Sequence, residues 1–306
     1  MTHAYEPNGV AELTHLGVIR AIGPQAGQFL HNQLTQDFLL LKDHQARLAG
    51  FCSAKGRLQA SFIAWRQSPE EFLLVCSRDL LPSTLKRLSM FVLRTAVKLS
   101  DVSSEYKIYG TLGTSAEVWG ASKAPWSLAR SNNAVAVSLY PAAGHTRALW
   151  VAPHQVPAPE GPTLDLGLWH WTDVQSGVAQ LALAHVDAYV PQMLNYESVD
   201  GVNFKKGCYP GQEVVARSQF RGVIKRRTYL GHCTASAQVG DELFLSTDPE
   251  QSCATVVACA AHPNGGFDLL FCAQTQAVAE GPLALGQPQG PLIALRTLPY
   301  PLRDDI

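Results

Sequence analysis

The sequence predicts an α+β chain built mainly on antiparallel sheets and ending in a small β-barrel. Three observations carry that reading. Apolar runs of strand length alternate with amphipathic stretches in the order strand–helix–strand–strand, repeated with variations. A stretch rich in proline and glycine, Val156-Pro157-Ala158-Pro159-Glu160-Gly161-Pro162, punctuates the middle of the chain. Beyond Arg227 helical periodicity gives way to short β-rich runs separated by turn signals.

Taken in order, residues 13–22 read as a strand, closed by Gly23-Pro24. Residues 25–34 place Phe29, Leu30, Gln33 and Leu34 at helical spacing, with Pro24 suited to a helix start. Two strands follow over 47–52 and 57–65, with Ala54-Lys55-Gly56 as the turn between them, and 72–76 is a third. Residues 79–93 set Leu80, Leu81, Leu85, Leu88 and Phe91 on one side of a helix. A strand pair, 135–140 and 147–151, flanks Gly144. Residues 166–177 read as a helix carrying Trp169 and Trp171, and 184–203 as loop. The last strands span 228–233, 242–245, 254–260, 267–272 and 292–298, with Pro263-Asn264-Gly265-Gly266 as a hairpin signal.

The 306 residues, 46% hydrophobic and 16% charged, are ample for two or three domains and are not the composition of a disordered chain. A net charge of −1 gives no global pull toward nucleic acid or membrane. Seven cysteines, an odd number with no C-x-x-C pair, exclude a disulfide framework and a stable closed metal cluster. No apolar run reaches membrane-span length, and Met1–Pro7 has no leader pattern, so the expected location is cytoplasmic, with no membrane partner and no metal ligands. Scattered histidines such as His15 and His185 read as ordinary core or surface residues.

Charge concentrates at 205–227. Lys205, Lys206, Arg217, Arg221, Lys225, Arg226 and Arg227 face only Glu213, a net of +6, so the remainder of the chain carries −7. Such a run suits an anion, and it equally suits a solvated helix face. Within it, Cys208 differs from the other cysteines, most of which lie in apolar runs. It is surrounded by Lys206, Gly207, Tyr209, Pro210 and Gly211. Adjacent lysines would favour a thiolate, and a helix opening at Pro210–Glu213 would act the same way. The residues alone leave Cys208 open between a reactive and a structural thiol.

The run Phe204-Lys205-Lys206-Gly207-Cys208-Tyr209-Pro210-Gly211-Gln212-Glu213-Val214-Val215-Ala216-Arg217, followed by Arg221-Gly222, resembles the signature of the YgfZ family of folate-binding proteins. These are relatives of the T-protein, the aminomethyltransferase of the glycine cleavage system. Residues 190–195, Gly201-Val202, 29–37 and 50–57 also resemble that family. The resemblance implies a three-part, ring-like fold with a C-terminal β-barrel. It divides the chain into a folate-binding region over 1–226, made of two intertwined α+β subdomains connected near 153–163, and a barrel over 227–306. It implies binding of tetrahydrofolate or a one-carbon derivative. It also implies support of iron–sulfur enzymes or their assembly proteins, with an indirect link to tRNA through the enzymes that modify it. Cys208 becomes the candidate reactive residue. Lys205, Lys206, Gly207, Tyr209, Gly211, Gln212, Glu213 and Arg217 become candidate cofactor contacts.

Three departures qualify this. Pro210 stands where the family usually has threonine, removing a hydroxyl and an N–H. Ala60 and Ser61 stand where true aminomethyltransferases carry an acidic pair near the reacting folate nitrogen, so a charged intermediate there lacks its carboxylate. Gln175 falls at the acidic position that grips the pterin, keeping hydrogen bonding without charge. An accessory role therefore ranks above aminomethyl transfer. Direct tRNA binding by the basic run ranks below an indirect effect, because aromatic and basic residues do not interleave along the chain.

Overall fold

The computed structural model describes residues 7–120, 124–246 and 248–303; the first six residues, read above for a leader, lie outside them. The first region holds two five-stranded sheets. One contains strands β1 (Gly9–Glu12), β7 (Tyr106–Leu112), β8 (Leu128–Ser131), β9 (Ala134–Ser138) and β10 (Arg147–Pro153), in the order β1-β7-β10-β9-β8. The other contains β2 (Leu16–Ile22), β3 (Ala46–Cys52), β4 (Leu58–Ser68), β5 (Glu71–Ser77) and β6 (Lys98–Asp101), in the order β3-β4-β5-β2-β6. Strand pairs in both are antiparallel. Strand β4 is flanked on both sides and buried over most of its length, including the polar Gln59 and Ser61.

Helices α1 (Ala26–Gln33) and α2 (Leu81–Ser89) lie where amphipathic spacing puts them, each near a proline. The strand expected over 13–22 is broken: Leu16 N–H donates to Leu13 O at 3.1 Å, and the turn passes the chain from one sheet to the other. The short α3 (Thr114–Glu117) and strands β6, β7 and β8 have no clear sequence signal. Helix α4 (Leu166–Gln175) starts at Asp165, whose side chain accepts from Leu168 N–H at 3.1 Å, an N-cap in the expected chemistry. Residues 183–199 form short 3-10 turns rather than open loop. Helix α5 (Gln212–Phe220) follows the cysteine motif.

The third sheet has six strands, β11 (Arg226–Cys233), β12 (Glu242–Leu245), β13 (Asp248–Ala261), β14 (Phe267–Gln274), β15 (Leu283–Leu285) and β16 (Ala294–Arg296), in the order β15-β12-β13-β14-β11-β16. It is a half-barrel. Its edges approach each other because Ile293 N–H donates to Leu283 O at 2.8 Å while β16 pairs with β11. The hairpin at Pro263–Gly266 joins β13 and β14 as its sequence predicts, and helix α6 (Thr275–Glu280) and β15 were not anticipated.

One buried cluster spans the first two sheets and α4 and reaches Leu230, Leu270 and Tyr300; a second fills the half-barrel. After β16 the chain returns to the first region. Tyr300 Oη donates to Gly177 O at 2.7 Å, and Arg303 N–H to Ser198 Oγ at 3.0 Å. Arg227 pairs with Glu197 at 2.6 Å across the same junction, both side chains nearly inaccessible. Among the described residues no helix is long and apolar enough to cross a membrane.

Candidate functional site

Two features meet on β4. The first is the cysteine loop, packed on the turn that precedes the strand. Gly211 lies at φ +79°, and a Cβ there would stand 2.4 Å from Ser53 O and 2.6 Å from Gly56 Cα. Gly56, at φ +70°, meets Val214 of α5 in return. The two glycines let two backbones approach where no side chain fits, which accounts for glycine at both places.

Lys206 is buried beneath this loop. Its ammonium donates to the carbonyls of His31 and Leu34, the latter at 3.0 Å, so it ties the loop to the C-terminal end of α1. It also stands 4.6 Å from the centre of the Tyr209 ring. Burial pulls the Lys206 pKa down to about 8, outweighing Asp37 and Cys208, which raise it. Burial pushes the Tyr209 phenol well above its ordinary range. His31 Nδ1 lies 3.2 Å from Asp37 Oδ1, and that oxygen accepts from Leu39 and Leu40 N–H at 2.9 Å each. Burial would raise the Asp37 pKa, but those N–H groups and His31 outweigh it and hold the carboxyl below its ordinary value.

Above this base, Lys205, Gly207 and Cys208 are exposed, and Cys208 is a free thiol. Gln212 N–H donates to Tyr209 O at 3.2 Å, and Glu213 pairs with Arg217 at 2.7 Å on the open face of α5. Lys206, Tyr209 and Gly211 thus build the loop from below, while Cys208, Lys205, Glu213 and Arg217 present themselves to solvent.

The second feature is a narrow cavity between the two five-stranded sheets, with a volume of about 60 Å³. Its walls are mostly apolar and aromatic, among them Leu48, Phe62, Trp126, Tyr140 and Trp169, with His15, Ser61, Arg147, Asp173, Ser176 and Gln180 as polar groups. Trp169 fits because Gly110 of β7 lies flat beneath it; a Cβ at Gly110 would be 2.5 Å from the ring. The ring in turn supports Arg147, whose guanidinium carbon sits 4.4 Å from its centre. Arg147 donates to Asp173 Oδ1 and is only 2% exposed, while the Asp173 side chain is 35% exposed. Burial raises the Asp173 carboxyl, but Arg147 and the nearby His170, 3.8 Å away, outweigh it, and the group stays ionised. Burial lowers the His15 pKa and the neighbouring His170, at 4.7 Å between ring centres, lowers it further, so His15 is neutral near pH 7. Arg147 Nε and His15 Nδ1 are buried without a hydrogen-bond partner.

The carboxylate on this cavity is therefore Asp173, two residues before Gln175. Gln175, expected to face the pterin, is absent from the cavity wall and donates to Asp268 of the half-barrel at 2.7 Å. Asp268 also accepts from Trp171 at 2.6 Å, which locks α4 onto β14. A register two residues off turns a helical side chain by roughly 200°, to the other side of the helix. Arg147 and Asp173 are not among the site residues that the sequence predicts, and His15 reads there as an ordinary core or surface residue. Asp173 had a signal: it is the one acidic residue within α4, otherwise Leu-Gly-Leu-Trp-His-Trp-Thr and Val-Gln.

Of the two residues placed at the acidic pair's position, Ser61 lines the cavity, while Ala60 is buried and off the wall. Ser61 Oγ accepts from Leu181 N–H at 3.1 Å. Among the described residues no group of three or more His, Cys, Asp or Glu could hold a metal ion.

No family model matches the chain. It is 28% identical over 302 residues to the tRNA-modifying protein YgfZ of Edwardsiella ictaluri, covering 92% of this chain and 89% of that protein. To its namesake from Photorhabdus laumondii it is 25% identical over 313 residues, covering 98% and 94%. An uncharacterized protein of Haemophilus influenzae is 27% identical over 239 residues, covering 77% and 78%. Among solved structures, the glycine cleavage system aminomethyltransferase T of Bartonella henselae superposes with a TM-score of 0.71 at 14% identity, covering 96% of this chain and 86% of that one. The chain thus resembles the YgfZ tRNA-modifying proteins over most of its length, and it shares its fold with a glycine-cleavage aminomethyltransferase.

Proposed function

We propose that this chain is a cytoplasmic tetrahydrofolate-binding accessory protein that supports the assembly or repair of iron–sulfur enzymes, including those that modify tRNA. The observation that carries the folate part is the aromatic cavity with one ionised, partly exposed carboxylate. Asp173 can accept from the adjacent N–H donors of an aminopterin edge, and the Trp126, Tyr140 and Trp169 walls suit flat rings. The buried, unpartnered Arg147 Nε and His15 Nδ1 are polar atoms that a bound polar ligand or a water would satisfy. Bound folate would supply one-carbon carrying capacity. This chain's residues would bind it, orient it and exclude water.

The same cavity favours the accessory reading over aminomethyl transfer. A neutral Ser61 hydroxyl, already engaged with Leu181 N–H, does not offer the negative charge that would stabilise a cationic nitrogen. Cys208 is the candidate reactive group, on the exposed crest of a loop fixed by Lys206 and Gly211. The YgfZ names of the relatives support the tRNA-modification link.

Titration of tetrahydrofolate against tryptophan fluorescence tests the first part; absence of saturation removes it. Cys208→Ala should keep folate affinity and lose the ability to restore an iron–sulfur enzyme in cells lacking this protein, and full restoration would remove the role of the thiol. Methylene transfer from an aminomethyl-lipoyl donor at aminomethyltransferase rates would reverse the ranking of the two readings.

A further inference from the structure

The basic run is not a uniform solvated face. Two cavities open side by side along it. One is lined by Arg217, Arg221, Lys225 and Arg226, and the other by Arg57 and Arg226; Met193 and Arg226 line both, so the two adjoin there and together make a basic groove. No aspartate or glutamate lines either.

Among the described residues none of these cations pairs with a buried carboxylate. Arg57 donates to the backbone oxygen of Ala188, and Arg226 reaches Cys253 O at a long 3.4 Å. Arg217 pairs with Glu213 at a position where both side chains are more than half exposed, an interaction that an incoming anion can replace at little cost. Among the described residues the side chains of Arg221 and Lys225 have no partner. Five cations held together against mutual repulsion, with no carboxylate in the wall, match an extended polyanion.

An exposed aromatic stands next to the lining residues without being one of them. Phe220, which ends α5 immediately before Arg221, is 57% exposed, and Val223 beyond it is 83% exposed. The Phe220 ring is steadied edge-to-face by Phe204 at 5.2 Å, and Phe204 directly precedes Lys205 and the cysteine loop. An acidic peptide or a polycarboxylate has no use for a rigid ring beside the cations. A strand with unpaired bases does, because each base can stack on the ring while phosphates follow the arginines. A duplex, with its bases stacked inside, satisfies only the cations.

We propose that the cations Arg57, Arg226, Lys225 and Arg221, with Phe220 beside Arg221, bind an unpaired segment of a nucleic-acid strand. The interleaving of aromatic and basic residues that the linear sequence lacks is made here by folding. This inference does not rest on the folate reading, since the groove and the central cavity share no lining residue.

The test is fluorescence anisotropy of a labelled twelve-nucleotide oligouridine with the full chain between 20 and 200 mM salt. Oligothymidine, a fully paired RNA hairpin stem and poly-glutamate serve as competitors. The proposal expects saturable binding whose logarithm falls with the logarithm of salt with a slope of about −3, from roughly four phosphates at 0.7 each. Arg221→Glu with Lys225→Glu should flatten that slope by about 1.4. Phe220→Ala should weaken binding at least about fivefold at unchanged slope. Oligothymidine competing as well as oligouridine supports the proposal, with the sugar playing no part. Unchanged melting temperatures show that both variants fold, as the exposure of all three side chains leads one to expect. No saturation at 20 mM salt, equal binding by both variants, or poly-glutamate or duplex competing as well as the single strand would each overturn it.

Discussion

Lys206→Met probes how the cysteine loop is held. In the native chain the Lys206 ammonium donates to His31 O and Leu34 O, and each charge-assisted bond of this kind is worth roughly 1.5–3 kcal/mol. Burial opposes them. It takes the Lys206 pKa from 10.5 to about 8, which corresponds to about 3 kcal/mol at about 1.4 kcal/mol per pH unit. The loop is open to water at Gly207 and Cys208, so screening leaves ~1–2 kcal/mol of that penalty. The balance is a loss of ~2–4 kcal/mol in Lys206→Met at pH 7. The contribution of Lys206 to the pH dependence has a fixed sign. Between pH 8 and 10 the unfolded lysine keeps a proton that the folded one has released, so the unfolded state binds more protons at this group and its contribution to stability rises with pH. The buried thiols of Cys52, Cys76 and Cys272, pushed up to about 12, act the other way above about pH 9, and the raised Tyr209 phenol does so above about 10, because the unfolded groups ionise first. Urea midpoints at pH 7.0 and 9.5 for the native chain and the variant isolate the Lys206 share as the difference between the two. Equal midpoints at pH 7.0, or the same change with pH in the variant, would refute the assignment of Lys206 as the loop's anchor.

Gly211→Ala should cost roughly 3 kcal/mol or more, since a positive φ alone costs about 1–2 and the new Cβ meets backbone atoms of Ser53 and Gly56. Gly144→Ala, at φ +83° with nothing near its Cβ, is the control and should lose only the conformational part; thermal melts compare them. Arg227→Met should destabilise by about 3–5 kcal/mol by leaving Glu197 charged and buried, and adding Glu197→Leu should recover most of the loss in the same melts. Asp173→Asn should weaken tetrahydrofolate binding by about 10-fold or more, as a charge-assisted contact becomes a neutral one, while Gln175→Leu should leave affinity unchanged; calorimetric titration of both separates the two registers.

Local chemistry made much of the fold legible. Helices α1, α2, α4 and α5 and the hairpins at Gly56 and Gly265 follow from spacing, caps and turn residues that act within a few positions. The strands without a sequence signal, β1, β6, β7, β8 and β15, are short or flanked by polar residues, and long-range pairing defines them. Near the site, glycines at 56 and 211 and a cysteine outside any apolar run were visible for the same local reason, and the motif around them carried the family resemblance.

The opening prediction of an α+β chain with antiparallel sheets was thus determined by the sequence itself, as was the placement of Cys208 in a tight, lysine-flanked loop. Tertiary structure decided which polar groups share a space. It set Arg147 of one strand against Asp173 of a helix, buried Lys206 under the loop while leaving Lys205 outside, turned Gln175 toward the half-barrel, and brought Arg57 alongside Arg226. The physical reason is that burial and charge pairing act through distances between residues far apart in the chain, and a two-residue change of register on one helix sends a side chain from the cavity to the opposite packing face.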